Sequence, residues 1–286
     1  MIIDFHAHCF SPRIVEKAIA TLVANSGVRA PFADGTTSGL LAAMDNTGID
    51  ACVIANIATN PRQQRAVNDF AISLLAEPRF IPHKGSAHTL ESGPDPDLSP
   101  PCRFIPFGSV HPDAPDAIEE LRRLAGAGVK GIKLHPDYQA FFADEPRLFP
   151  IYEEIARLGL VTLFHAGVDT GLCDPVRATP EHLLRALPAF GGAPVVAAHF
   201  GGYLLWREVM EHLCGQDIYF DTSYCSRKIP PPWARRIVEL HGKDRVLFGT
   251  DLPWSDPQDE LNLARQVGGT EDDILGGNAM RLLGLV

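Results

Sequence analysis

The chain has 286 residues, 45% of them hydrophobic, and a formal net charge of -10 at pH 7. A chain of this length and composition can bury a sizeable core in one α/β barrel. The acidic balance and the lack of a Lys/Arg-rich run disfavour nucleic-acid binding, and no apolar run is long enough to cross a membrane. Six cysteines without CxxC spacing favour a reduced, cytoplasmic protein, and we expect no signal peptide because the first predicted strand begins at residue 2.

Short apolar segments rich in β-branched residues alternate with amphipathic stretches along the chain. We predict strands at Ile2–His6, Ala51–Ile57, Phe104–His111, Gly131–His135, Val161–His165, Val195–His199, Ile218–Asp221 and Val246–Thr250. Helices are predicted at Pro115–Ala125, Arg147–Leu158, Pro180–Leu187, Pro232–Leu240, Asp259–Val267 and Thr270–Leu283. Apolar strands separated by helices are typical of a parallel sheet covered on its outer face. Eight such units predict the α/β class and a single (β/α)8 TIM barrel that spans residues 1–286 as one domain.

Two segments do not fit this alternation. Glu77–Arg103 contains six prolines, and Ala24–Ser38 is also irregular. Both are expected to be long loops that elaborate the barrel rather than separate domains, and loops this long in a compact fold often cover an active site.

Histidines gather at the carboxyl ends of the predicted strands. His6 and His8 alternate along the first strand, so their imidazoles project to one face together with Asp4. Six of the eleven histidines lie at or next to such strand ends: His6, His8, His111, His135, His165 and His199. Asp251 follows the eighth strand. Because the carboxyl ends of barrel strands meet at one mouth, and buried polar groups need a partner or a metal, this pattern predicts a metal site there.

The motifs around these residues resemble those of the amidohydrolase superfamily. They are Asp4-Phe-His6-Ala-His8, Gly131-Ile-Lys-Leu-His135-Pro, Phe164-His165-Ala-Gly167, Ala198-His199-Phe-Gly-Gly202 and Gly249-Thr-Asp251. More narrowly, they resemble the branch that contains aminocarboxymuconate-semialdehyde decarboxylase. The resemblance implies one divalent metal, in most cases zinc, held by His6, His8, His165 and Asp251. It further implies that His199 positions or deprotonates a water on that metal. Asp4 shares the face of His6 and His8 but is expected deeper in the barrel, where it supports the ligands or serves as an inward structural carboxylate.

Lys133 and His135 lie two residues apart on the fourth strand and face the same way. In binuclear members of the superfamily, a carboxylated lysine at the end of this strand bridges two metals, and Lys133 could do the same. The surrounding motif resembles the mononuclear branch instead, in which both residues line the pocket. We therefore favour one metal, with Lys133 and His135 as substrate contacts, and keep a second metal on a carboxylated Lys133 as the alternative.

The leading functional prediction is a hydrolase that uses a metal-activated water to cleave a small ester, lactone or amide. A metal lowers the pKa of bound water towards about 7, after which His199 would act as the general base and Asp251 would pass the proton on. The alternatives are a metal-dependent non-oxidative decarboxylase of an unsaturated or aromatic acid, and a metal-binding protein without catalysis.

Residues of the loops that follow the carboxyl ends of the strands are expected to determine the substrate specificity. Arg227 is predicted to bind a substrate carboxylate through its planar fork. Four aromatic residues are predicted to form a wall, namely Tyr138, Phe141, Phe142 and Trp254. The expected partner is a small molecule, and the resemblance allows a homodimer.

Overall fold

The computed structural model describes residues 1–26, 31–76, 103–172, 174–268 and 273–285. The strands are β1 (Ile3–Ala7), β2 (Ala51–Ile54), β3 (Phe104–Pro106), β4 (Gly131–Leu134), β5 (Val161–Phe164), β6 (Val195–Ala197), β7 (Tyr219–Asp221) and β8 (Val246–Leu247). Each coincides with one of the eight predicted strands. Most end earlier than predicted, so the histidines follow the strands, except His6, which lies within β1.

The α-helices of the described residues lie between and after these strands. They are α1 (Val15–Ser26), α2 (Thr37–Thr47), α3 (Gln64–Leu74), α4 (Ala117–Gly126), α5 (Phe149–Arg157), α6 (Pro180–Ala186), α7 (Trp206–His212), α8 (Pro231–His241), α9 (Pro257–Gly268) and α10 (Asn278–Leu282). Local sequence explains several of the boundaries. Thr179 caps α6 by accepting a hydrogen bond from the His182 backbone N–H at 3.3 Å, and Pro180 occupies the first turn, where no N–H is needed.

The strands form one closed parallel barrel. β1 to β3 pair in chain order, as do β4 to β8. Backbone hydrogen bonds close the two remaining seams: the Gly108 N–H donates to Gly131 O at 2.9 Å, and the Phe5 N–H donates to Phe248 O at 2.8 Å. The predicted (β/α)8 barrel is confirmed.

A cluster of buried apolar side chains fills the barrel interior. It joins residues of strands far apart in the chain, such as Val53, Leu163 and Leu247, with Ala279 and Leu283 at the C-terminal end. The segment before α10 packs against the start of β1, since a Cβ on Gly276 would lie 2.1 Å from the Met1 carbonyl oxygen. This end of the barrel is therefore closed, and the opposite end is left for a site.

The irregular segments differ in part from the prediction. Ala24–Ser38 is shorter than expected, because α1 continues through Ser26 and α2 begins at Thr37, where the Thr36 side chain caps it. Residues 27–30 and residues 77–102 of the predicted loop Glu77–Arg103 lie outside the described residues.

The closing helix is also divided differently. A π-helical turn at Asp273–Gly277 precedes α10, and the predicted start at Thr270 lies outside the described residues. No helix that the structure describes is long and apolar enough to cross a membrane.

Candidate metal centre and active site

Three of the four predicted metal ligands come together at the carboxyl ends of β1 and β8. His8 Nε2 lies 3.0 Å from Asp251 Oδ1, and His6 Nε2 lies 3.7 Å from the same oxygen. One donor atom from each residue falls within 4.8 Å of the other two. Two imidazoles and a carboxylate form a donor set that divalent transition metals such as zinc accept. These residues could therefore hold a metal ion.

His165, the fourth predicted ligand, lies beside this group and not in it. Its ring stacks on that of His135, with centroids 4.1 Å apart and planes 6° from parallel. Its Nε2 is buried and has no hydrogen-bond partner among the described residues. An unpartnered buried nitrogen is costly, and a metal ion would satisfy it. His165 thus fits the predicted ligand role, which stays a prediction.

A second group of donor atoms joins His135, His165 and Asp169. The rings of His135 and His165 are parallel, and each nitrogen lone pair lies in the plane of its own ring. The lone pairs of the two rings therefore do not point at one common position for a metal. His135 is also fully engaged, because its Nε2 lies 3.2 Å from Asp169 Oδ2 and its Nδ1 accepts the Tyr138 backbone N–H at 3.3 Å. Burial holds the pKa of His135 well below its usual range, so the ring is neutral. We assign no metal to this group.

The predicted base, His199, stands next to the predicted ligand His165. His199 Nε2 lies 3.2 Å from His165 Nδ1, and His199 Nδ1 lies 3.0 Å from the carbonyl oxygen of Ser223. Both His199 and Asp251 have left-handed backbone conformations, with φ of 61° and 66°. Residues other than glycine rarely adopt this backbone conformation, and such backbone strain concentrates at functional sites. The backbone at the ends of β6 and β8 is therefore shaped to aim these two side chains.

Asp221, the last residue of β7, was not among the predicted site residues. Its Oδ2 lies 2.9 Å from His6 Nδ1, and the side chain is completely buried. Burial acts to raise the pKa of Asp221, but His6 and the Ser223 hydrogen bonds hold it well below its usual range. The signal that the sequence carries for Asp221 is an acid at the last position of a predicted strand, Ile218–Asp221.

Lys133 points at the same group of ligands from β4. Its Nζ lies 3.1 Å from His6 Nε2. Burial lowers the pKa of Lys133 to about 8. Burial also lowers the pKa of His6 to about 4, and the Lys133 ammonium adds to that effect. For Asp251, burial works in the opposite direction, but His6 and His8 lower its pKa to about 2. The centre therefore combines a neutral His6 with an ionised Asp251 at neutral pH.

Asp4 takes a structural position beneath these groups. Its Oδ1 accepts the backbone N–H of His6 at 3.0 Å and that of Thr250 at 2.9 Å. Burial raises the pKa of Asp4 to about 7. Asp4 thus joins β1 to the end of β8, which fits an inward structural carboxylate.

A pocket of about 950 Å³, including its open mouth, lies over the centre. Aromatic side chains line much of its wall: Phe10, Tyr138, Tyr203, Tyr224 and Trp254. Lys133 and His135 also line it, as predicted for substrate contacts, and Lys133 is the one Lys or Arg among the described lining residues. These roles stay predictions.

Three predicted pocket residues lie elsewhere. Arg227 is 62% exposed, and its guanidinium donates to Asp259 at 2.9 Å. Phe141 is buried in the hydrophobic core, and Phe142 packs against His182. Arg227 thus pairs with an acid on α9 and is not among the residues that line the pocket, and its contact with a substrate carboxylate stays a prediction.

Comparison with known proteins adds independent evidence on fold and family. A family model described as "Amidohydrolase" matches residues 97–285. The 2-amino-3-carboxymuconate-6-semialdehyde decarboxylase of Dictyostelium discoideum is 28% identical over 231 residues, which cover 65% of this chain and 62% of that protein. The chain thus spans less than two thirds of that relative.

Solved structures share the fold over nearly the whole chain. A 2,6-dihydroxybenzoate decarboxylase in complex with 2,6-dihydroxybenzoate has a TM-score of 0.70 at 18% identity, with 99% of each chain covered. A dihydroxybenzoic acid decarboxylase from Polaromonas sp. JS666, with bound manganese and the inhibitor 2-nitroresorcinol, has a TM-score of 0.67 at 16% identity, with 99% of this chain and 97% of that chain covered. Identities this low show a shared fold.

Proposed function

The chain belongs to the amidohydrolase family, and from that premise we propose that it is a metal-dependent decarboxylase of a small aromatic or unsaturated carboxylic acid. The observation that carries the proposal is the position of the donor group His6, His8 and Asp251 beneath a pocket walled by aromatic rings. Such a wall suits a planar substrate, because aromatic rings pack well against one another. The similarity to a decarboxylase over 65% of the chain supports the same reaction class.

We expect one divalent ion, preferably zinc, held by His6, His8 and Asp251, with His165 completing the set. The unpartnered Nε2 of His165 is the observation that favours this assignment. When bound, the ion supplies a positive charge that holds and polarises an acidic group of the substrate. The Lys133 side chain adds a second cationic group at the same end of the pocket.

Decarboxylation needs a proton on the carbon that loses CO2. The carboxylate leaves as CO2, the electron pair of the broken C–C bond stays on carbon, and that carbon takes up a proton. His199 is the residue best placed to deliver it: its Nδ1 faces the Ser223 carbonyl, and its Nε2, which lies 3.2 Å from His165 Nδ1, is the ring nitrogen that would carry the proton into the pocket. The aromatic wall keeps water from the carbanion-like carbon and holds the ring in plane.

Hydrolysis is the second candidate, and the same centre supports it. Asp251 is ionised and lies in the donor group, so it can receive a proton from the attacking water and pass it to a leaving group. A small ester, lactone or amide would then replace the aromatic acid as substrate.

One experiment separates these functions. Zinc- and manganese-loaded protein is incubated in ¹⁸O-labelled water with hydroxybenzoates, unsaturated semialdehyde acids, lactones and esters. CO2 release without ¹⁸O in the organic product supports the decarboxylase, whereas ¹⁸O-labelled acid from a lactone or ester without CO2 supports the hydrolase. If the protein binds metal but turns over no substrate, and His199→Gln leaves the metal content unchanged, the chain is a metal-binding protein without catalysis. The matched control is His182→Gln, because His182 is a partly exposed histidine that is hydrogen-bonded to Asp144.

A further inference from the structure

We propose that Asp221 is a positioning residue that fixes the tautomer of His6 directly and holds Ser223, whose carbonyl oxygen fixes that of His199 and through it that of His165, so that His6 and His165 both present an unprotonated Nε2. The proposal rests on the metal centre proposed above and adds the device that prepares its nitrogen ligands. It follows from the direction of each hydrogen bond around the end of β7.

The first step is the pairing of Asp221 with His6. Asp221 Oδ1 accepts the backbone N–H groups of His199 and Ser223, each at 3.0 Å, and the Ser223 hydroxyl at 2.5 Å. Its Oδ2 is left for His6 Nδ1, 2.9 Å away. An ionised carboxylate can only accept, so His6 carries its proton on Nδ1. A neutral His6 therefore has a lone pair on Nε2.

The second step concerns His199. Its Nδ1 lies 3.0 Å from the carbonyl oxygen of Ser223, which can only accept, so His199 is also protonated on Nδ1. The Ser223 hydroxyl donates its one proton to Asp221, so its oxygen can only accept from the two imidazoles. It lies 2.9 Å from His199 Nδ1 and 3.0 Å from His6 Nδ1, and each of these N–H groups shares its one proton between the hydroxyl and its first acceptor. Asp221 thus acts on His199 through Ser223, whose backbone and hydroxyl it holds.

The third step reaches His165. In its neutral form His199 has an unprotonated Nε2, which lies 3.2 Å from His165 Nδ1. His165 Nδ1 must then be the donor, and its proton leaves Nε2 of His165 bare. This is the same Nε2 that is buried without a hydrogen-bond partner among the described residues. The hydrogen bonds that begin at the Asp221 carboxylate therefore leave Nε2 of His6 and Nε2 of His165 unprotonated and able to bind a metal.

The test is Asp221→Asn, which keeps the shape of the side chain. The three donors at Oδ1 hold the amide oxygen in place, so the amide N–H2 faces His6 Nδ1 and forces the His6 proton onto Nε2. An Asp→Asn change that reverses a histidine tautomer is known to disable a catalytic triad. We measure ring-nitrogen protonation by long-range ¹H–¹⁵N correlation in metal-free protein, and zinc affinity by competition with a chelator.

In the wild type we expect Nδ1–H on His6, His199 and His165. In the variant we expect His6 alone to switch to Nε2–H and zinc affinity to fall roughly 10–100-fold, the range for residues that orient a metal ligand. The proposal is overturned by Nε2–H on His6 in the wild type, or by a variant with unchanged tautomer and affinity. The wild-type spectrum decides the question even if the variant does not fold.

Two control variants distinguish a specific loss of the histidine tautomer from a general disruption of the centre. Ser223→Ala removes the hydroxyl but keeps the Ser223 carbonyl and Asp221 Oδ2, so we expect all three tautomers to persist. Asp137→Asn changes another buried carboxyl, one of whose oxygens has no hydrogen-bond partner among the described residues, and should leave both readouts unchanged. Both readouts are taken without substrate, so a failure of the proposed decarboxylation leaves this result standing.

Discussion

The Nζ atom of Lys133 lies 3.1 Å from Nε2 of His6, and both side chains are buried. An N–H of Lys133 can donate to the lone pair of that nitrogen, which is the same lone pair that a metal ion would take. The lone pair serves one partner at a time, so Lys133 and a metal compete for His6. Lys133 therefore opposes metal binding in its protonated form, although its side chain also lines the pocket.

Replacing Lys133 by methionine is expected to raise zinc affinity about tenfold and to keep one metal per chain, because the variant loses both a competing donor and a nearby positive charge. Turnover should fall, since the pocket loses its one cationic side chain among the described lining residues. Elemental analysis and chelator competition measure the two quantities. Lys130→Met, which changes an exposed lysine outside the pocket, is the control. Two metals in the wild type under bicarbonate, with one lost in the Lys133 variant, would show instead that a carboxylated lysine bridges them.

His165 is expected to be a metal ligand despite its place outside the group of His6, His8 and Asp251. Its Nε2 has no other partner among the described residues, so His165→Gln should weaken zinc binding by more than the roughly 10–100-fold that loss of a supporting residue causes. Isothermal titration with zinc measures the change, and His182→Gln should behave as the wild type. Unaltered zinc affinity in His165→Gln would leave the centre with three protein ligands.

The sequence allowed the barrel and the meeting of His6, His8 and Asp251 to be predicted, because both depend on general properties of parallel strands. Apolar runs mark the strands, and the carboxyl ends of barrel strands converge. The contact of Asp221 with His6 depends on the closure of the barrel, which leaves only β8 between β7 and β1, and no local pattern encodes that closure. The ion pair of Arg227 could not be predicted for a related reason: its partner Asp259 lies on a helix 32 residues further along the chain.

The aromatic wall leads to a prediction about substrate binding. Trp254 lines the pocket, and its replacement by leucine should raise KM for an aromatic acid about tenfold with little change in kcat, because ring packing of about 0.5–1.5 kcal/mol is lost together with buried area. Steady-state kinetics on the zinc-loaded protein test this, with metal content measured alongside. Phe142→Leu, outside the pocket, should leave KM unchanged. An equal KM for wild type and Trp254→Leu would mean that the substrate binds against other residues of the pocket and not against Trp254.

The last prediction concerns stability at low pH, far from the metal centre. His241 is buried, stacks on Phe220 with centroids 3.9 Å apart, and uses both ring nitrogens: Nε2 donates to Ile218 O at 2.8 Å, and Nδ1 accepts the Gly215 N–H at 3.2 Å. Protonation of Nδ1 would break the second bond. Burial, assisted by Arg245, accordingly lowers the pKa of His241 from 6.5 to about 4.

Between pH 6.5 and 4 the unfolded chain binds a proton at His241 that the folded protein does not, so stability falls as the pH falls through this interval. The loss due to this residue is about 3 kcal/mol, from about 1.4 kcal/mol for each pH unit. His241→Gln should be less stable at pH 7 but should lose that much less on acidification. Urea unfolding of metal-free protein from pH 7 to 4 measures both curves, with His182→Gln as the control. Parallel curves for the wild type and His241→Gln would mean that His241 is protonated in the folded protein as easily as in the unfolded chain.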